Sequence, residues 1–441
     1  MTLEPFETIL SLVTVSLCIN SQNQLQKQDD TKDYKPFLLI GTAYAYPDED
    51  EPTQGRVIVL ECSSDHAQLK SDDEYDDSSK RTIRQIAHMP TRGGVYSICP
   101  FYNGSVLMTV NSKTHLCQLF IDSENNAELR FVGAGHHGHM LSLFVSSLAR
   151  SNDEMGDQTK QLAIVGDLMR SISLVEYMPK HNVIEELARD YNANFCTALE
   201  MLTKDIYLGS EGFNNLFLLR HNANAASEEV RVRLDTVGEY HLGEMPNKFK
   251  AGSLIMPNQQ GCNFNDTGGS LLSEDTHSSP VKSSLDRQRK IEIRTGSQTL
   301  FGTVDGTVGS ILGLDGPSFA FLSTLQRAMN SVIESVGRLS HGEYRAFRAE
   351  HQVRPSRGFI DGDMIETFLD MNPMTMEKIV QYMNDDGRWT IRDNGLGLSN
   401  QSEQETLMDS AIDDDALSSS NSFVLTVESV LSVIEEVSMM H

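Results

Sequence analysis

The chain has 441 residues, is 39% hydrophobic and carries a net charge of −26, which leaves room for two or three domains, or one repeat domain with a small companion. So acidic a surface repels phosphate backbones, because nucleic-acid affinity comes largely from Lys and Arg neutralising phosphates; basic partners are favoured instead. The cysteines (Cys18, Cys62, Cys99, Cys117, Cys196, Cys262) show no C-x-x-C spacing, so buried reduced thiols are expected, not a disulfide framework or a zinc site.

Residues 9–19 are apolar and near the start, yet Glu4 and Glu7 flank them without Lys or Arg, the wrong charge for a signal peptide. Ile9, Val13, Val15, Leu17 and Ile19 share one face of a period-two strand, with Ser11 interrupting it. No other stretch approaches a membrane span, so no membrane partner is expected.

Five units of strand-like runs follow in order. They take 9–19, 36–46 and 56–61; then 94–101, 106–110, 115–121 and 129–132; then 140–148, 162–165, 172–177 and 183–187. The fourth takes 195–202, 206–208, 215–220 and 236–240, and the fifth 249–256, 298–304 and 307–314. Asn103-Gly104 and Asp305-Gly306 are predicted two-residue hairpin turns, which need positive φ. In the third unit Gly166-Asp167 closes an apolar run and Leu168-Met169-Arg170 rides on the turn, a place where binding residues concentrate. Arg170 is either a partner-binding group or a surface arginine paired to Asp167. Repeated strand units with turn punctuation point to a β-propeller rather than a sandwich.

Segments 63–81, 257–297 and 394–422 are rich in charge, Asn, Ser and Gly and are predicted disordered insertions. After Asp315 the period changes. Leu322, Leu325, Met329, Val332, Ile333 and Val336 mark an amphipathic helix ending at Gly337. Asp363 to Glu366 has the form of a capping box. Val427, Val430, Leu431, Ile434 and Val437 mark a last helix. The reading is mainly β: a propeller of about five blades over 1–315 and a small α-helical domain over 316–441.

Gly133 to Gly138 matches G-x-G-x-x-G, but a strand follows where a dinucleotide site needs a helix. His136, His137 and His139 suggest a metal, yet no Cys or carboxylate set accompanies them, so a solvated loop is expected. No P-loop, nucleophile elbow or nucleophile–base pair is present, and neither catalysis nor a cofactor is expected.

Several motifs stand in a specific order: GTAYAYPDEDEPTQGRV (41–57), GGVYSI (93–98), VGDLMRS (165–171), EELARDYN (185–192), HLGE (241–244), LFGTVDG (300–306) and GFIDGDMIETFLD (358–370). Together they resemble the family of the large subunit of the damage-specific DNA-binding protein, the adaptor of cullin-4 ubiquitin ligases. A weaker likeness to large cleavage/polyadenylation and spliceosomal subunits of the same superfamily keeps an RNA-processing scaffold as the alternative. The resemblance implies a three-propeller protein, of which this chain holds most of the third, WD40-like propeller (about five of seven blades) and the helical domain. It implies a non-enzymatic scaffold in DNA-damage response and ubiquitin-dependent proteolysis, in nucleus and cytoplasm. Substrate-receptor proteins dock through an inserted helical segment, cullin binds only through propellers absent here, and damaged DNA is met only through a receptor.

Receptor-contact positions carry over where motifs align. They are Ala43, Glu49 and Glu51 in the first unit, Tyr96 and Ser97 in GGVYSI, and Leu143 and Phe144 ahead of GDLMRS. Leu168 and Arg170 lie within that motif, and Arg189 in the ARD. Phe195 stands where the family has Trp, and Met245 where it has Phe; Asn247 and Val304 match. The two softened positions shrink the apolar anchor surface, since large rings dominate interface energy.

Overall fold

The structure, a computed structural model, describes residues 3–21, 34–64, 81–121, 126–148, 161–255, 293, 295–334, 336–350, 352–386, 389–392, 395–398 and 424–440. Most of the predicted insertions 63–81, 257–297 and 394–422, and Cys262, lie outside the described residues. The described residues cluster into two compact units. One takes Met1–Phe249, Phe301–Thr307 and Arg345–Gly358; the other takes Lys250–Leu300, Val308–Tyr344 and Phe359–His441.

Four antiparallel four-stranded sheets succeed one another along the first unit. The first holds Glu7–Ser21, Tyr34–Tyr44, Gly55–Ser64 and Arg81–Thr91. The second holds Val95–Pro100, Val106–Val110, Lys113–Ile121 and Ala127–His137. The third holds Ser142–Ser146, Gln161–Asp167, Ile172–Met178 and Val183–Arg189. The fourth holds Cys196–Met201, Ile206–Glu211, Asn215–His221 and Leu234–His241. A three-stranded sheet follows, in the order Pro246–Ala251, Thr295–Thr303, Val308–Leu314. The fold is mainly β: a partial propeller of five blades and a small helical region.

Period-two side-chain alternation explains the succession. In the strand Gln161–Asp167, Ala163 and Val165 enter the core shared with Cys99, Leu107 and Leu116 of the second sheet. Ile164, between them, enters the core shared with Leu199, Tyr207 and Phe217 of the fourth. The second sheet packs its other face on the first through Val95, Val106, Met108, Phe37, Leu39 and Val57. A middle sheet buried on both faces separates this architecture from a two-sheet sandwich, where each sheet has one solvated face. It also explains the unbroken apolar runs, since each fully buried aliphatic side chain stabilises by about 1.5–3 kcal/mol.

Sequence and structure part at several places. Arg81–Thr91 completes the first sheet although it was not among the predicted runs; only Ala87 and Met89 of it enter the core, and a register shift at Val59/Leu60 breaks its alternation. Asn103 and Gly104 both take positive φ, at 55° and 64°. At Asp305-Gly306 only Gly306 does, at 97°, and a three-residue loop closes where Thr303 N donates to Thr307 O at 2.9 Å. Ser11 is a true interruption, with the register shifting between Ile9 and Ser11. Cys62 is exposed, unlike Cys18, Cys99, Cys117 and Cys196. Gly395–Leu398 pairs with Trp389–Arg392 as a short hairpin, where the composition had suggested an insertion.

The second unit takes in Val308–Leu314 and most of Thr295–Thr303 from the three-stranded sheet, and its helices gather around one core. The helix Gly316–Val332 is capped by Asp315, which accepts from Ser318 N; it stops at Val332, not at Gly337. Asp361, not Asp363, caps Gly362–Glu366. Pro373–Asp386 was not foreseen. Its buried face is Met376, Ile379, Val380 and Met383, packed with Phe321, Leu325, Phe368 and Ile434, and Met-rich faces give a weak periodicity signal. The last helix, Val427–Ser438, opens on a capping box of Thr426 and Ser429. Among the described residues no helix is long and apolar enough to cross a membrane.

One buried ion pair ties the first three strands of the first sheet. Arg56 Nε and Nη2 donate to the Glu7 oxygens at 2.6 and 2.7 Å, and Thr42 Oγ1 and Glu4 N donate to the same carboxylate at 2.8 Å each. The Arg56 hydrogen bond, working against burial, draws the Glu7 carboxyl from 4.5 to about 2. A depressed carboxyl contributes stability above its unfolded pKa and loses it as pH falls through the folded one. Stability should therefore decline between pH 4.5 and about 2. Glu7→Gln should lower stability at neutral pH by about 2–4 kcal/mol and flatten that acid limb; acid titration of the melting temperature for both proteins is the check.

Candidate interaction face

In a four-stranded antiparallel blade, the start of strand one, the turn between strands two and three and the end of strand four lie on one edge. Ala43, Glu49, Glu51, Tyr96, Ser97, Leu143, Phe144, Leu168, Arg170, Arg189, Phe195, Met245, Asn247 and Val304 all fall at such positions. Residues scattered from 43 to 304 are thereby brought to the same edge of five successive blades.

Polar side chains lace this edge together. Asn111, with φ 46°, accepts from Gly94 N through Oδ1 at 2.7 Å and donates from Nδ2 to Pro52 O at 2.8 Å. Its carbonyl accepts from Ser142 N at 2.8 Å, so one residue joins three blades. Ser97 Oγ accepts from Val145 N at 3.3 Å. Asp167, fully buried, takes four backbone amides: Met140 at 2.6 Å, Leu141 at 3.3 Å, and Met169 and Arg170 at 2.9 Å each. Ser171, at φ 56°, donates from Oγ to Asp190 at 2.6 Å and from its amide to Asn194 O at 3.2 Å. Burial raises the Asp190 carboxyl above its ordinary value against these hydrogen bonds. Asn214 accepts from Leu242 N at 2.9 Å, and Val304 N donates to Met245 O at 3.0 Å.

The side chains fall into three groups. Leu168, Arg170, Phe195, Asn247, Val304 and Glu51 are exposed. Tyr96, Ser97, Leu143, Phe144, Met245 and Glu49 are half-buried, Phe144 against the core and Glu49 bonded to Thr53. Ala43 is buried within 2.9 Å of where a side chain at Gly94 would begin. Asp167 holds the backbone amide of Arg170 and is not paired to its side chain; among the described residues the guanidinium reaches only Gly138 O, at 3.3 Å. Arg189 is half-buried and committed, to Glu186 at 2.5 and 2.9 Å and to Gly138 O at 3.0 Å.

Some residues of this edge escaped sequence reasoning. Exposed Phe6 lies 5.7 Å from Tyr46, ring to ring. Phe213 is also exposed, on the turn beside Phe195. Asn111 carried a signal in its favour, since Asn tolerates positive φ and supplies both a donor and an acceptor. The three-histidine loop needs correction too. Glu186 stands beside His136 and His139, and His139 is buried, so the loop is neither without a carboxylate nor solvated throughout. Burial, with the neighbouring His136, pushes His139 down to about 4.

A family model described as the CPSF A subunit region matches residues 1–370. The chain belongs to that family. It is 38% identical over 354 residues to DNA damage-binding protein 1a of Arabidopsis thaliana and 36% over 354 residues to protein 1b of the same plant; each match covers 80% of this chain and 27% of the relative. DNA damage-binding protein 1 of Solanum lycopersicum is 37% identical over 352 residues, with the same coverage. The chain thus spans 27% of the length of these curated relatives.

The Asp167 cluster makes a direct test. Asp167→Ala strands four amides at the blade edge and should cost about 2–4 kcal/mol, at 1–3 kcal/mol for each donor that water fails to reach. Amide exchange at 168–170 should accelerate, while Asp167→Asn, which keeps one acceptor oxygen, should lose less.

Proposed function

We propose that this chain is part of an adaptor of a cullin-RING ubiquitin ligase and docks substrate-receptor proteins through the blade edge. The observation that carries the reading is the 168–171 turn. It displays Leu168, Met169 and a lightly bonded Arg170 to solvent while Asp167 anchors its backbone. The names of the relatives, DNA damage-binding proteins, favour this adaptor over an RNA-processing scaffold. The helical domain begins, on this reading, after Asp315.

Capture follows the helix-in-groove mode. Leu168, Phe195 and Val304 take the apolar face of a receptor helix, and Arg170 binds its carboxylates or free carbonyls. Arg189 supports rather than contacts, because its guanidinium is already occupied. Cullin binds through propellers outside this chain. A net charge of −26 keeps DNA at a distance, so lesions are met through the receptor. The adaptor works as a scaffold, not an enzyme, in nucleus and cytoplasm.

A charge-assisted contact contributes about 1.5–3 kcal/mol, so Arg170→Glu should weaken receptor binding at least about tenfold. Its melting temperature should match that of the parent, since the side chain is exposed. Pull-down of a cullin-4 substrate receptor, with a melt of the same preparation, is the measurement; full binding by the variant removes Arg170 from the interface. Leu168→Asp should act in the same direction.

A further inference from the structure

We propose that His136, His139 and Glu186 form a binding site for one divalent transition-metal ion of the zinc class. His136 ends the strand Ala127–His137, His139 lies in the link to the third blade, and Glu186 sits on the strand Val183–Arg189. Val183 pairs with Ala134 in parallel, and this pairing brings the three together across two blades. Their ligand atoms all lie within 4.8 Å of one another, and His136 Nε2 is 3.5 Å from Glu186 Oε2.

The independent observation is His139. It is 5% exposed, and neither of its ring nitrogens has a hydrogen-bond partner among the described residues. A buried polar group left unbonded costs about 1–3 kcal/mol. Donation of a ring lone pair to a metal satisfies one of the two nitrogens, whichever tautomer is present. Gly138 leaves the room needed, since a side chain there would begin 2.8 Å from His136 Nε2.

The donor set selects the ion. Two imidazoles with one carboxylate suit zinc, with a fourth position open to water, whereas calcium and magnesium take oxygen ligands. Zinc ligands at about 2.0–2.1 Å from the ion stand about 3.3 Å apart in a tetrahedron. The His136–Glu186 separation is close to that, and rotation of the His139 ring, 5.2 Å from His136 between centroids, closes the remainder. Arg189 holds Glu186 in place, and each carboxylate oxygen keeps a second lone pair for the ion. Besides the proposed ligands, Asp167 and Arg189 are the charges acting on His139, and their signs oppose. The ion would fix Gly138, whose carbonyl takes both Arg189 and Arg170. The inference stands apart from the receptor-docking reading and from its test.

The experiment uses the full chain, stripped with a chelator and titrated with zinc chloride by calorimetry and with cobalt(II) by visible absorption. One equivalent should bind, with a tetrahedral cobalt spectrum lacking a thiolate band, and neither magnesium nor calcium should compete. His136→Ala and Glu186→Gln should each weaken uptake at least about tenfold, since even outer-sphere losses cost 10–100-fold. His137→Ala, on an exposed side chain, should leave uptake unchanged. Circular dichroism shows whether each variant is folded, and the wild-type cobalt spectrum stands without them. Absence of stoichiometric uptake, a thiolate band, or equal uptake by both folded ligand variants overturns the site.

Discussion

Burial of both faces of a sheet governs this molecule. A strand whose alternate side chains enter two different cores has no solvent face, so each blade needs a neighbour on either side. Ala163, Ile164 and Val165 show this within three residues, the outer two packing on the second blade and the middle one on the fourth. The cost of an unpaired sheet face then sets the blade order, and chain connectivity keeps sequential blades adjacent.

With its faces consumed by packing, a blade has only its edges and ends left for recognition. The ends carry backbone groups that strand pairing leaves unsatisfied, and polar side chains answer them. Asn111 and Asp167 serve amides and carbonyls of adjoining segments, and Ser171 with Asp190 does the same one step on. A turn fixed from beneath in this way can display large apolar side chains without their collapsing inward. Arg170 and Arg189, nineteen positions apart in sequence, converge on the Gly138 carbonyl; Arg189 is half-buried and also holds Glu186, whereas Arg170 is exposed.

Much of the fold was legible from local pattern. The runs in the second, third and fourth units match the observed strands closely because each is a short apolar stretch cut by a turn. Arg81–Thr91 was missed because an edge strand buries little, and Pro373–Asp386 because its buried face is half methionine. The turn at Leu168 to Arg170 announced itself through exposed apolar residues beside Gly-Asp. The anchors beneath it did not, since an aspartate that accepts four amides looks in sequence like any turn aspartate.

The histidine loop makes the division plainest. Sequence alone determined the strand content, the change to a helical period after Asp315, the acidic balance and the family motifs, because these depend on composition and near neighbours. Only the tertiary structure decided that Glu186 stands beside His136 and His139 and that residues from 43 to 304 fall at the corresponding edge of successive blades. Parallel pairing between blades and the up-and-down order of strands within them join residues far apart in the chain, and no local pattern encodes that distance.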